Sequence, residues 1–414
     1  MVDIALDKGM SILTKIKKHG FIGSYRIVKT IICKPIRPII YSFFRLFPIK
    51  ENLIILESEP DYCDNAWALY HCLRDKGGYR FAWSVVNPSA FRNSNDTVFV
   101  SHVSYGLRIK AYYYYARAKR IIFTHCILPE FKKNGKQCLI YLTHGCPMKA
   151  GKGDGKLSFD FTISLGRNVS KAQSLFLGCD ENKIIPLGYS RNDLLIHCIG
   201  EGAQNPFSKR KSHKVVLWMP TFRQSVQKSL SEQNCDTETG LPLFSDRASL
   251  EELDAFLEKQ EIEILVKIHH LQADKTVFAN QYSSILFVTD EMIRSDGFQL
   301  YEIVGKSDAL ITDYSSVSFD YLLVDKPIGY VLDDIESYES DRGFVWNNVK
   351  EIMPGHHIYV KEQFYCFLSD ICCGRDRYNK ERHEVRDFIH SFPDDKSSER
   401  FISFFFPEIK KQFL

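Results

Sequence analysis

The residues best suited to chemistry sit where short apolar runs give way to polar side chains. An apolar run at 309–311 ends in Thr312-Asp313-Tyr314-Ser315-Ser316, a cluster of hydroxyls with one carboxylate, and helix-compatible residues follow to about position 323. Strand, tight turn and helix in that order aim the first backbone N–H groups of the helix, with Ser315 and Ser316, into the crevice at the carboxyl end of a parallel strand. That is where α/β proteins bind phosphate. The plain alternative is a capped helix start with Asp313 or Ser315 as the N-cap. A second run, at 137–143, feeds directly into His144-Gly145-Cys146-Pro147-Met148-Lys149. Two others end in the same manner: 215–219 opens into Pro220-Thr221-Phe222-Arg223, and 262–268 ends in His269-His270. His144 is a candidate to remove a proton from an acceptor hydroxyl, because an unperturbed imidazole titrates near pH ~6.5. Arg223 and a protonated His269 can balance negative charge on a leaving nucleotide. Each group alone has an ordinary explanation, as a satisfied structural histidine or a surface ion pair. Converging strand ends shift the balance towards transfer from a nucleotide diphosphate donor.

The elements that must position these groups alternate. Strands are expected near 53–56, 80–86, 97–100, 120–124, 137–143, 160–164 and 183–186, with helices at 65–76, 107–118 and 170–177 between them. A second series follows, with strands at 215–219, 262–268, 285–289, 309–311 and 327–332. Alternation of this kind predicts parallel sheets covered on both faces, in an α/β fold of two Rossmann-like domains. The expected division is a basic leader at 1–50, an acceptor-side domain at 51–199, a polar linker at 200–214, and a donor-binding domain with C-terminal helices at 215–414. Two such halves suggest a cleft between domains. The tyrosine run 112–115 is read as helix packing and not as a ligand platform. Lys149, Lys152 and Lys156 among Gly151, Gly153 and Gly155 make the segment after His144 positive, but the phosphate-binding Gly-x-x-x-x-Gly-Lys-Ser/Thr pattern is absent.

Composition narrows the remaining choices. At 414 residues and 44% hydrophobic content the chain can bury two ordinary cores. Its twelve cysteines are scattered, with no secretory signal and no Cys-x-x-Cys pair, and read as reduced thiols. The net charge of +3 conceals an asymmetry: residues 1–50 hold ten Lys or Arg against Asp3 and Asp7, so the remainder is net acidic. Aromatic and aliphatic residues interleave those charges, as in Ile39-Ile40-Tyr41-Ser42-Phe43-Phe44-Arg45-Leu46-Phe47. The mixture suits an interfacial segment on an anionic membrane. It is too interrupted to span one, which takes about 20 apolar residues. A solvated basic helix or a nucleic-acid contact is the alternative; the membrane surface is the expectation adopted, with no nucleic-acid partner. No metal-ligand cluster and no cofactor motif is evident, and a helix N-terminus with basic side chains can neutralise a diphosphate without a metal.

Taken in order, these motifs resemble the CDP-glycerol glycerophosphotransferases, which build teichoic acids and related polyol-phosphate polymers. The resemblance rests on Thr143-His144-Gly145-Cys146-Pro147-Met148-Lys149, Met219-Pro220-Thr221-Phe222-Arg223, Lys267-Ile268-His269, and Ile311-Thr312-Asp313-Tyr314-Ser315-Ser316-Val317-Ser318-Phe319-Asp320-Tyr321. It continues through Asp325-Lys326-Pro327 to Asp341-Arg342-Gly343-Phe344. It implies a two-domain GT-B architecture with the active site in the cleft, attack of an acceptor hydroxyl on the β-phosphate of CDP-glycerol, release of CMP, and peripheral attachment at the cytoplasmic face of the membrane. By motif position His144 would be the base and His269 would stabilise the diphosphate. Thr312, Ser315 and Ser316 would hold the phosphates, and Asp320 would lie near the glycerol. Gly145, Thr221, Arg223, Asp313 and Arg342 complete the expected substrate-binding set. The implied partners are CDP-glycerol or a related CDP-polyol, a lipid-linked or polymer acceptor, and the membrane surface. Cys146 stands where a small hydroxyl residue is common, and His270 where proline usually follows the histidine. Both departures keep a CDP-ribitol donor open. A nucleotide-sugar GT-B glycosyltransferase and a non-catalytic membrane scaffold are the remaining alternatives.

Overall fold

The computed structural model describes residue 25 and residues 28–103, 106–151, 153, 157–199, 204–210, 213–221, 238–268 and 282–410. The apolar runs become strands buried on both faces, as helix-covered parallel sheets require. Seven strands, β1 (Lys50–Glu57), β2 (Arg80–Val85), β3 (Thr97–Ser101), β4 (Ala118–Phe123), β5 (Cys138–Tyr141), β6 (Phe161–Ser164) and β7 (Ile184–Pro186), form one sheet in the order β3-β2-β1-β4-β5-β6-β7. Six more, β8 (Lys214–Met219), β9 (Ile262–Lys267), β10 (Ile285–Val288), β11 (Ala309–Thr312), β12 (Ile328–Val331) and β13 (His356–Ile358), form the second in the order β10-β9-β8-β11-β12-β13. Ile55 lies opposite Ala82 and Ile121 in parallel register, and Leu310 lies opposite Leu217 and Ile328. The winding direction reverses between β1 and β4 in one sheet and between β8 and β11 in the other. Such reversals open a crevice at the carboxyl ends of the strands. The class is Rossmann-like α/β of the GT-B type.

Packing divides the chain into two units: Met1–Tyr62 with Gly77–Ile140, and Cys63–Lys76 with Tyr141–Leu414. In the first, Ile54, Ile55, Leu56, Phe81, Trp83, Ile121 and Ile122 form a dry centre. Helix Ile109–Arg117 buries Ala111, Tyr112, Tyr115 and Ala116, so the tyrosine run is packing, as expected. Helix Arg37–Phe44 docks on it, with the Tyr41 and Tyr112 rings 6.1 Å apart. Arg37 pairs with Glu130 at 3.7 Å. Residues 1–24 of the expected basic leader lie outside the described residues. Its described part is thus partly built into the fold, while Ile32, Ile39, Phe43 and Leu46 stay exposed.

In the second unit, helices Arg247–Lys259 and Lys361–Cys372 bring Leu253, Leu257, Phe364 and Phe367 against Trp218, Ile264 and Val266. The first of these helices starts at a cap the sequence spells out, Asp246 accepting from the Ser249 N–H at 2.8 Å. Helix Ser397–Phe405 packs on helices Asp64–Lys76 and Ser190–His197, and Asp193 accepts the N–H groups of Ser397 (2.9 Å) and Ser398 (2.8 Å). The eleven described cysteines are free thiols. Among the described residues no helix is long and apolar enough to cross a membrane.

Candidate active site

The second sheet opens between β8 and β11, and the residues just past both strands are tied to each other. Thr312 is buried and donates its hydroxyl to the Met219 carbonyl at 2.8 Å. Asp313, 1% exposed, accepts the Thr221 N–H at 2.7 Å and also the Thr221 hydroxyl. Lys149 Nζ lies 3.3 Å from that hydroxyl and over the Tyr338 ring. The helix that follows, Val317–Tyr321, has Ser316 at its N-cap and no side-chain capping bond, so neither Asp313 nor Ser315 serves as a cap. Ser315 and Ser316 are half-buried. Their hydroxyls engage no hydrogen-bond partner among the described residues.

The strand end at β5 produces a tighter turn. Thr143 has φ 54°, a left-handed conformation unfavourable for a β-branched residue. The surroundings enforce it: Asn65 Nδ2 donates to the carbonyls of Leu142 (3.5 Å) and Thr143 (3.3 Å), and the Thr143 hydroxyl donates to the Gly145 carbonyl at 3.2 Å. Strain held in place this way is typical of functional turns. His144 projects outward and exposed, with Nδ1 3.3 Å from the Tyr141 hydroxyl. Gly145 rests directly on the serine turn; a Cβ added there would lie 2.1 Å from Ser316 Oγ and 2.7 Å from Ser316 Cβ. The His-Gly and Ser-Ser motifs are thus in contact.

Behind this contact stands a buried charge cluster that sequence reasoning missed. Arg191, at the start of helix Ser190–His197, donates to Asp64 (2.9 and 3.1 Å), to the His144 carbonyl (3.0 Å) and to Asp320 (2.7 Å). Asp320 also accepts from Asn192 Nδ2 (3.0 Å) and the Tyr301 hydroxyl (2.6 Å), which leaves its carboxylate fully enclosed by protein donors. Burial opposes the charge on Arg191, but Asp320 and Asp64 outweigh it and hold the guanidinium firmly protonated. Cys146 is fully buried, and burial, with Asp320 adding to it, pushes its thiol well up; it packs behind the turn as a neutral apolar group. A signal for the cluster existed. β7 is followed by Gly188 at φ 81° and then by the polar run Ser190-Arg191-Asn192-Asp193, the same strand-to-polar-turn pattern seen at 144 and 312.

The loop beyond His144 is anchored along its length. Lys149 and Phe344 form an antiparallel bridge, Ala150 N–H donates to Gly343 O (2.9 Å), Val345 N–H donates to Met148 O (3.0 Å), and Trp346 Nε1 donates to Pro147 O (2.9 Å). Tyr314 stacks on Tyr338 with centroids 4.2 Å apart and donates to Asp334 at 2.7 Å. Arg342, at the end of helix Ile335–Asp341, is exposed. The structure therefore brings together His144, Gly145, Thr221, Thr312, Asp313, Ser315, Ser316 and Asp320. Arg223 and His269 lie outside the described residues, as do His270, Lys152 and Lys156. No group of three or more His, Cys, Asp or Glu side chains able to hold a metal occurs among the described residues.

The fold matches that of a solved wall teichoic acid polymerase, TagF, with a TM-score of 0.71, 22% identity, and coverage of 97% of this chain and 99% of that one. Among curated proteins, a teichoic acid glycerol-phosphate transferase of Staphylococcus aureus is 25% identical over 90% of this chain and 98% of its own length. A teichoic acid poly(ribitol-phosphate) polymerase of Bacillus spizizenii is also 25% identical, over 87% of this chain but only 57% of its own length. The chain thus spans little more than half of that longer relative. The model of the family described as CDP-glycerol:poly(glycerophosphate) glycerophosphotransferase matches residues 39–406, so the chain belongs to that family.

Proposed function

We propose that the protein transfers glycerol phosphate from CDP-glycerol to a hydroxyl of a lipid-linked or polymer acceptor, releasing CMP. The observation that carries this reading is the contact between the His144-Gly145 turn and the Ser315-Ser316 turn. It puts the residue next to an exposed histidine against Ser316, whose hydroxyl, like that of Ser315, has no hydrogen-bond partner among the described residues; phosphoryl transfer needs a base and phosphate-binding donors within reach of one phosphorus. The acceptor oxygen bonds to the phosphorus that carries glycerol as the bond from that phosphorus to the bridging oxygen breaks. The acceptor proton passes to His144, and CMP leaves with the bond's electrons. Ser315 and Ser316 donate to the diphosphate oxygens. Arg223 and His269 are assigned the charge on the leaving nucleotide from their sequence positions, and Arg342 remains a candidate for the substrate's rim. Thr312 and Asp313 act through the backbone they fix.

The ribitol-phosphate relative, as similar in sequence as the glycerol-phosphate one, makes CDP-ribitol the second donor to test. A screen of CDP-glycerol, CDP-ribitol and UDP-sugars against a lipid-linked acceptor is expected to release CMP from a CDP-polyol and nothing from the sugars. His144→Ala should cut the rate by about 10²–10⁴-fold, the usual worth of a general base. Full activity in that variant removes His144 from the mechanism; turnover of a UDP-sugar replaces the reaction.

The attachment surface proposed for an anionic membrane is the exposed apolar strip Ile32, Ile39, Phe43 and Leu46, interleaved with Lys29, Lys34 and Arg45. Because Tyr41 and Arg37 are part of the fold, point changes test it better than deletion. Ile39→Ser with Phe43→Ser and Leu46→Ser should weaken binding to phosphatidylglycerol vesicles, and unchanged binding would remove the strip as the anchor.

A further inference from the structure

One guanidinium touches both halves of the proposed site. Arg191 is 3% exposed, and its two terminal nitrogens point in different directions. Nη1 donates to the His144 carbonyl at 3.0 Å while also gripping Asp64. Nη2 donates at 2.7 Å to Asp320, which lies four residues beyond Ser316 on the short helix that carries the serine turn. Asp64 belongs to the same local support, since the adjacent Asn65 holds the Leu142 and Thr143 carbonyls and accepts the Arg191 N–H at 3.1 Å. The Tyr301 ring covers the guanidinium at 4.5 Å and its hydroxyl closes on Asp320. Each side of the guanidinium therefore ends on a different functional turn.

We infer that Arg191 and Asp320 form a strut that fixes the separation between the His144 base and the Ser315-Ser316 turn, acting as positioning residues for the transfer. The kinetic part of this inference rests on the proposed function; the structural part does not. The constraint is mechanical. The turn at Thr143 is in an unfavourable conformation and relaxes unless held. The His144 carbonyl that follows it is held by Arg191, which also binds Asp320 on the helix of the opposite turn, so the two turns shift together or not at all. Lysine cannot replace the device, because an ammonium is a point charge without the planar fork that reaches two acceptors in fixed directions. A misplacement of about 1 Å between reacting groups costs about 10²-fold in rate, so the strut governs kcat more than donor affinity.

The test compares wild type, Arg191→Lys and the milder Tyr301→Phe, which keeps the guanidinium but removes one donor to Asp320. Amide hydrogen exchange is followed at 142–146 and 315–321, alongside kcat and KM for CDP-glycerol. Expected is a joint loss of protection in both segments, graded from Tyr301→Phe to Arg191→Lys. In the lysine variant kcat should fall about 10²-fold with KM changed by less than about 3-fold. If Arg191→Lys does not fold, the Tyr301→Phe exchange pattern and its smaller kcat loss decide the matter. Protection unchanged, or lost in one segment only, overturns the strut. If the wild type turns over no CDP-polyol, the proposed function falls, and exchange alone still decides whether the two turns are coupled.

Discussion

At the outlet of the first sheet, Glu57 on β1 accepts the backbone N–H groups of Thr124 (3.1 Å) and His125 (3.0 Å), just past β4. At the outlet of the second, Asp313, just past β11, accepts the N–H and hydroxyl of Thr221, just past β8. Each carboxylate clasps the central strand pair where the winding reverses, and each is almost wholly buried. The difference lies in the residues next along the chain. After Thr124 the chain runs through His125 and Cys126 with no helix start before β5, and the Cys126 thiol closes on Glu57 at 3.6 Å. After Asp313 it turns at once into Tyr314, Ser315 and Ser316 and then into a helix. The first clasp is sealed and the second presents hydroxyls. A carboxylate at a switch point is therefore a structural tie in both sheets, and the hydroxyls proposed to bind the donor belong to the turn beyond it.

Three experiments bear on this comparison, beginning with the largest effect. Asp313→Ala leaves the Thr221 N–H and hydroxyl buried without an acceptor and should lower the unfolding free energy by about 3 kcal/mol in a urea titration. Were Asp313 a ligand of the donor instead, stability would hardly move and CDP-glycerol affinity would collapse. The double change Ser315→Ala with Ser316→Ala should do the opposite. Stability is expected to stay within about 0.5 kcal/mol, while calorimetry shows donor affinity reduced by at least about 10-fold, the worth of one hydrogen bond to a charged group. A large stability loss in that variant would make the turn a clasp like the others.

The third concerns pH. Burial pushes the Glu57 carboxyl up from the usual 4.5 to about 7, against the opposing effect of the backbone N–H groups it accepts. The folded state then keeps this proton to higher pH than the unfolded chain does. The cost of ionisation is absent below about pH 4.5, grows as pH rises to 7, and is constant above. A single group titrating near 7 contributes a loss of about 1.4 kcal/mol between pH 6 and 8. Glu57→Gln should flatten that part of the stability profile. An identical slope in the variant would assign the titration to another group.

Much of the architecture was legible because parallel strands covered on both faces read as unbroken apolar runs, as at 53–56 and 309–311. β13 escaped because its three residues, His356-His357-Ile358, are mostly polar. Helix Ser190–His197 escaped because it opens with Ser190, Arg191, Asn192 and Asp193, all buried, where a sequence reading expects a loop. A histidine facing phosphate-binding hydroxyls across a cleft was the expectation; the direct contact of Gly145 with Ser316 was not read from the sequence. Nor was the support behind it. Arg191 meets Asp320 from 129 positions away and Asp64 from 127, so no local spacing can report the pairing. Asp313 and Thr312 illustrate the converse: residues of the right type in the right motif whose polar atoms are already occupied by the neighbouring strand end.

Asp193 adds a matter of timing. Two residues from Arg191, it receives the N–H groups of Ser397 and Ser398, which leave the ribosome roughly two hundred residues later. A nascent chain that has emerged as far as Asp320 already contains His144, Arg191 and both serines of the turn, yet the helix bearing Arg191 still lacks its outer brace. Buried donors and acceptors without partners are costly, so the Asp193 carboxylate gains these two donors only once a helix made about two hundred residues later has docked.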